Sequence, residues 1–209
     1  ADAIGQSGDG NHFEKGIRLM IGNDILDLKL TRTASNWRRR GFLDKLFTKS
    51  EQETIHTAPN PEYLIWLFWS MKESAYKIIA RIEQRSFFAP KRFQCSIHQP
   101  LKDQTVSGNV VYSDFQFSTS SEVTSHYIHT VATLPAQSIS KRGIILLSQA
   151  DPKTQRSQTY AKLLKDFATI YQLNNQTLSI QKDEIGVPHI YHNSKKIAQH
   201  VSMSHHGNW

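Results

Sequence analysis

A chain of 209 residues with a formal charge of +7 and a pI near 9.5 is long enough to bury a core and basic enough to seek an anionic partner: nucleic acid, a membrane surface, a phosphate-rich ligand or an acidic protein. A single cysteine, Cys95, excludes an internal disulfide. No apolar run reaches the ~18 residues of a membrane span, so a reducing cytoplasm is the expected compartment.

Residues 1–19 are polar and glycine-dotted, without the apolar centre of a secretory signal, and are expected to be a tag or disordered extension preceding a native start at Met20. Residues 19–28 predict a buried strand, and "LTRTASNWRRRGFLDKLFT" a basic helix or loop. "TKSE" at 48–51 is a capping box that opens a short helix to about Thr57. Asn60 and Pro61 then start a long helix, as N-cap and first helical residue, which runs to about Gln84. From 91 to 134 the texture is β-rich, in "RFQCSI", "VSGNVVY", "DFQFST" and "SHYIHTVATL", which predicts an antiparallel meander. A connector over 135–142 leads to a strand in "GIILLSQ", a helix over about 155–173, and strands near 177–182, 187–192 and 200–206.

The long helix carries Leu64, Ile65, Leu67, Phe68, Met71, Ala75, Ile78 and Ile79 and leaves almost no solvent face. Its polar exceptions, Ser70, Glu73, Ser74, Lys77 and Arg81, fall three and four apart on one stripe. An ordinary surface Glu73–Lys77 pair is the bland reading; the apolar flanks favour a functional one, because burying both charges costs several kcal/mol each. Asp24 interrupts the apolar strand "IGNDILDL", where it is either a strand-end cap or the second of two carboxylates on rigid elements. With Glu73 it suits Mg²⁺, and Lys77 one turn along suits a phosphate on the same ion. At the C-terminus, Gly186 and Pro188 fix a turn, and Ser204, His205 and His206 offer donors to an anion. Each histidine taken alone is better explained as a satisfied surface or core residue. Zinc spacing, a Walker loop and a nucleophile elbow are absent.

Together, "IGNDILDL", "FTKSE", "WSMKESAYK", "GVP" and "VSMSHHGNW" resemble the motifs of the 4'-phosphopantetheinyl transferase superfamily. The "WSMKESAYK" and "VSMSHHGNW" phrases are the specific ones. The resemblance implies an α+β fold of two similar halves, each a small antiparallel sheet packed with a long helix: 20–138 with the metal motifs, and 139–209 with the coenzyme A motifs and a missing end. It implies transfer of the phosphopantetheine arm of coenzyme A to a serine of an acidic acyl or peptidyl carrier protein, by a monomer with pseudo-twofold halves, releasing 3',5'-ADP. Asp24 and Glu73 would bind Mg²⁺, with Mn²⁺ as the alternative, and Glu73, Lys77 and Asp24 would be the catalytic set. Lys77 would hold the pyrophosphate, and Ser204 and His205 phosphates that include the 3'-phosphate; Gly186, Val187 and Pro188, with Ile185, would border the adenine. Leu26 stands where larger members carry a third acidic ligand, with Asp27 the nearest substitute. The order of motifs is that of the small holo-acyl-carrier-protein synthases. Lys72 has a place in the signature and no assigned task. Arg32, Arg38, Arg39 and Arg40 are either a solvated face or a carrier-protein docking patch. A basic nucleic-acid-binding module and a catalytically inactive homologue are the competing readings; neither nucleic acid nor membrane is the expected partner.

Overall fold

The computed structural model describes residues 19–98, 104–134, 141–148 and 151–209. Residues 1–18 of the expected extension and 135–140 of the expected connector lie outside the described residues. Strand β1 (Met20–Asp27) runs directly into α1 (Leu28–Ala34), followed by α2 (Phe42–Leu46), α3 (Lys49–Thr57) and the long α4 (Pro61–Glu83). The basic segment after β1 is therefore two short helices. Strands β2 (Gln94–Ile97), β3 (Thr105–Tyr112), β4 (Phe115–Val123) and β5 (Tyr127–Leu134) form the meander. Then come α5 (Pro152–Tyr171), β6 (Leu178–Lys182), β7 (Pro188–His192) and the two-residue β8 (Lys195–Lys196).

The fold is α+β. The first sheet has the order β1-β5-β4-β3-β2, all antiparallel, and the second the order β6-β7-β8. β1 is thus an edge strand despite being first in the chain. Five strands against three is an unequal division, and the two hydrophobic cores are equally unequal. The first is built around α4 with Phe47, Ile55, Phe93, Val110, Phe117 and Ile128. The second gathers Phe167, Ala168, Leu178, Ile190 and Val201.

The local signals explain α3 and α4. Thr48 accepts from the Glu51 amide while Glu51 accepts from the Thr48 amide, and Asn60 accepts from the Tyr63 amide ahead of Pro61. α4 lies directly on β1 because Gly22 permits it: a Cβ there would sit 2.0 Å from the Ser74 carbonyl oxygen.

Two expected strands do not form. Residues 141–148 are irregular: Leu147 is buried and donates one backbone bond to the Asn208 carbonyl (2.8 Å), but Leu146 faces solvent, so no ladder develops. Residues 200–206 are likewise irregular, although they lie along the free edge of β1. They satisfy that edge with side chains. The amides of Asn23, Ile25 and Asp27 donate to Ser202 Oγ (3.0 Å), Ser204 Oγ (3.1 Å) and His206 Nδ1 (2.9 Å). Both series advance by two residues, so the extended chain expected there is present, with side chains in place of a backbone ladder.

Candidate active site

The polar stripe of α4 faces β1 at one end and the C-terminal segment at the other. Asp24 is buried, and Lys77 Nζ lies 3.8 Å from its Oδ1 while donating to the Asn23 carbonyl. Ser204 gives its hydroxyl hydrogen to the same Oδ1 at 3.1 Å. Among the described residues Asp24 Oδ2 has no hydrogen-bond partner. Burial raises the Asp24 pKa, against the opposing pull of Lys77, of the Ser204 and Ser70 hydroxyls and of His206. The buried Ser70 hydroxyl is close enough to favour the ionised form while falling short of a hydrogen bond of good geometry. Glu73 is pushed up to about 7, first by burial and then by the Asp24 charge, with Lys77 opposing. Asp24 thus has Lys77 beside it and Glu73 within reach of its charge, and one Asp24 carboxylate oxygen is left unsatisfied.

Family comparison decides what this arrangement belongs to: residues 20–132 match the family model described as the 4'-phosphopantetheinyl transferase superfamily. The chain is a member of that superfamily. No curated protein matches it.

For a phosphopantetheinyl transferase the donor set fits a divalent cation. An unpartnered buried carboxylate oxygen on Asp24 and a second carboxyl held near neutrality beside it are both relieved by a cation between them. Among the described residues no group of three or more His, Cys, Asp or Glu forms a metal cage. The pair therefore suits an ion that keeps water and substrate oxygens in its shell, as Mg²⁺ does. Asp27 supplies no third ligand. Its carboxylate caps α1 instead, accepting from the amides of Lys29 (2.9 Å) and Leu30 (3.1 Å), and from that of Asn208 (3.2 Å). Leu26 beside it is buried in the core.

The remaining motif residues divide. Ser204 reaches the site, whereas His205 is exposed and its neighbour His206 turns onto β1. Gly186, in a left-handed conformation (φ 85°), and Val187 close a turn on Asp183: the Val187 amide donates to Asp183 Oδ1 at 2.8 Å, and the Gly186 amide to the Asp183 carbonyl at 2.9 Å. Pro188 then begins β7. Asp183 connects this turn to the stripe, because its charge faces Arg81 of α4. Arg81 in turn donates to the Val201 carbonyl at 2.8 Å.

Ser202 was missed as a member of this arrangement, His206 was expected as an anion donor and instead accepts the Asp27 amide, and Arg81 was noted only for its spacing. The signal for the first two was the period-two series 202, 204, 206, which carries polar side chains on one side of an extended segment. Lys72 belongs elsewhere. Fully buried, it donates to Glu51 Oε2 (2.8 Å) and to the carbonyls of Pro90 (2.9 Å) and Phe93 (2.6 Å), so all three ammonium hydrogens are used. Glu51 also accepts from the Cys95 amide at 2.7 Å. Lys72 therefore ties α4 to α3 and to the entry of β2.

On the other face of β1 a cleft of about 810 Å³ opens from Ser204, walled by Ile21, Ile25, Val131, Leu163 and Phe167, with Lys141, Arg142 and Lys165 also lining it. Among the described residues no helix is long and apolar enough to cross a membrane.

Proposed function

We propose that this protein transfers the 4'-phosphopantetheine group of coenzyme A to a serine of an acyl or peptidyl carrier protein, in the manner of the holo-acyl-carrier-protein synthases, with Mg²⁺ or Mn²⁺ held by Asp24 and Glu73. The observation that carries this is the buried Asp24 with Lys77 3.8 Å away, the partly buried Glu73 raised by its charge, and one Asp24 carboxylate oxygen lacking a partner.

Displacement at phosphorus asks for charge neutralisation and alignment more than for a covalent nucleophile. A bound divalent ion would supply that neutralisation on the pyrophosphate. Lys77, partly exposed beside Asp24, would hold a pyrophosphate oxygen, and Ser204 would orient Asp24 through its hydroxyl. Glu73, directly or through a water that it orients, would take the proton of the attacking serine hydroxyl. As the serine oxygen bonds to the phosphorus carrying the pantetheine arm, the pyrophosphate bridge breaks and 3',5'-ADP departs. The cleft beyond Ser204 would shelter the organic part of coenzyme A, with the Gly186–Pro188 turn at the adenine. A single chain would suffice, with the site at the junction of residues 20–138 and 139–209.

The basic residues beyond β1 suit an acidic carrier protein. Arg38 stacks on Trp37 with its guanidinium carbon 4.0 Å from the ring centre; Arg39 lies over Phe42; Arg32 is 3.7 Å from Glu62 and largely solvated. Their field would speed association and weaken with salt.

The test is to incubate the protein with apo carrier proteins of fatty-acid, polyketide and peptide type, coenzyme A and Mg²⁺, and to read the phosphopantetheine mass gain. Glu73→Gln and Asp24→Asn should abolish it. A folded protein that modifies none of these carriers would overturn the reading.

A further inference from the structure

Ser70 is fully buried on α4, yet its hydroxyl has no hydrogen-bond partner among the described residues. A buried helical serine commonly returns its hydrogen to the carbonyl four residues back. Ser74, one turn later, does so: its hydroxyl is shared between the Ser70 carbonyl (2.8 Å) and the Thr130 carbonyl (3.1 Å). Thr130 lies opposite Asp24 in the β1–β5 register, so this bond pins α4 over the strand pair that carries the carboxylate. Ser70, Glu73 and Lys77 stand at i, i+3 and i+7, on one face of the helix. All three act on Asp24: Lys77 from 3.8 Å, Glu73 through its charge, and Ser70 through a hydroxyl near enough to favour the ionised acid. Asp24 Oδ2, like the Ser70 hydroxyl, is shut off from solvent and unpartnered among the described residues. A donor and an acceptor thus stand near each other without a bond, where neither can turn to water.

We infer that Ser70 is a positioning residue for the divalent ion, its hydroxyl steadying Asp24 Oδ2 from the helix side while Ser204 holds Oδ1 from the C-terminal segment. This rests on the metal reading of Asp24 and Glu73 above. Each carboxylate oxygen accepts at two positions, so Oδ2 takes a hydroxyl and still offers a lone pair to an ion. A carboxylate gripped at both oxygens by hydroxyls of two different elements meets the ion in a fixed plane, which is how groups behind a metal ligand raise affinity. Since the fold does not already use the Ser70 hydroxyl in a bond, its contribution falls on ion binding and not on stability.

The experiment titrates Mn²⁺ into the full-length wild type and Ser70→Ala, reading free ion by its EPR signal, beside urea denaturation of both proteins. Alanine keeps the small volume that lets α4 lie on the sheet, so the substitution removes the hydroxyl alone. Ser70→Ala should bind Mn²⁺ about ten- to a hundredfold more weakly, with an unchanged urea midpoint. In turnover it should need correspondingly more Mg²⁺ and still approach the wild-type kcat at saturation. Equal Mn²⁺ affinity in the two proteins overturns the inference and leaves the coenzyme A reading standing, whereas a wild type that binds no Mn²⁺ overturns both. A urea midpoint that falls in step with the affinity, or a lowered kcat with the Mg²⁺ requirement unchanged, also overturns it and makes Ser70 a packing residue.

Discussion

Ser204 hydrogen-bonds Asp24 across 180 positions of sequence, donating its hydroxyl to Oδ1 at 3.1 Å while accepting the amide of Ile25 at 3.1 Å. One side chain thereby serves a backbone donor and a site carboxylate at once. Ser204→Ala should cost about 1–3 kcal/mol, since a part-buried amide loses its acceptor, and should raise the Asp24 pKa further because a bond that favours its ionised form is gone. Urea denaturation reads the first effect, and a weaker divalent-ion titration at neutral pH the second. A variant as stable as the wild type would remove the bond from the list of supports.

Cation affinity should depend on pH in one direction. Glu73 has a pKa of about 7, so below that pH an incoming divalent ion must displace a proton from it. Mg²⁺ affinity is therefore expected to fall as pH drops from 8 to 6, and in Glu73→Gln to be weak and nearly flat over the same range. Thermal shift against Mg²⁺ concentration at several pH values is the measurement; a wild-type affinity independent of pH would contradict the placement of the ion on Glu73.

His129 predicts a separate acid sensitivity. It is buried on β5, with its Nε2 3.3 Å from Asn23 Nδ2, and its pKa is lowered to about 4, first by burial and then by Arg142, with Glu122 opposing and Lys77 adding. A depressed histidine pKa means that the unfolded chain takes up a proton below about pH 6.5 while the folded one does not until about pH 4. Stability contributed by the neutral ring is complete above pH 6.5 and is lost as pH falls to 4, by about 3 kcal/mol. His129→Gln should abolish this part of the slope when the two proteins are compared by denaturant titration from pH 7 to 4. Parallel curves would rule it out.

Lys72 and Glu51 form a buried pair whose donors are all used. Lys72→Met strands the Glu51 carboxylate and should cost about 3–5 kcal/mol, whereas the double variant with Glu51→Gln should recover part of that loss. A double-mutant cycle by chemical denaturation gives the coupling, and strict additivity would mean that the two groups act independently.

Gly22 should tolerate no side chain. An added Cβ meets the Ser74 carbonyl oxygen at 2.0 Å, so Gly22→Ala must push α4 off β1, at a cost of about 1–3 kcal/mol and with displacement of Glu73 and Lys77 relative to Asp24. Transfer activity should fall more steeply than stability; a fully active alanine variant would show that the contact can slide.

Elements written in local chemistry were legible: the capping box at Thr48, the Asn60–Pro61 start and the alternation of β3 are all present. One helical stripe and one interrupted strand made Asp24, Glu73 and Lys77 legible as candidates, though not the Asp24–Lys77 contact itself. What depended on partners distant in sequence was not. Lys72 could not be assigned while Pro90 and Phe93 were unplaced. Asp27 looked like a spare ligand because its role as the N-cap of α1 required knowing that a helix begins directly after the strand. "GIILLSQ" has the composition of a buried strand but is offered no sheet edge, and without a partner composition cannot build a ladder.

The side-chain pairing of Ser202, Ser204 and His206 with β1 also bears on colloidal behaviour. A bare outer strand invites another molecule to add itself, and here the three amides that would welcome it are occupied by hydroxyls and an imidazole of the same chain. Because the middle hydroxyl also holds Asp24, loosening this segment would open an adhesive border and disturb the carboxylate together. Loss of metal response and onset of self-association should therefore arrive as a single event.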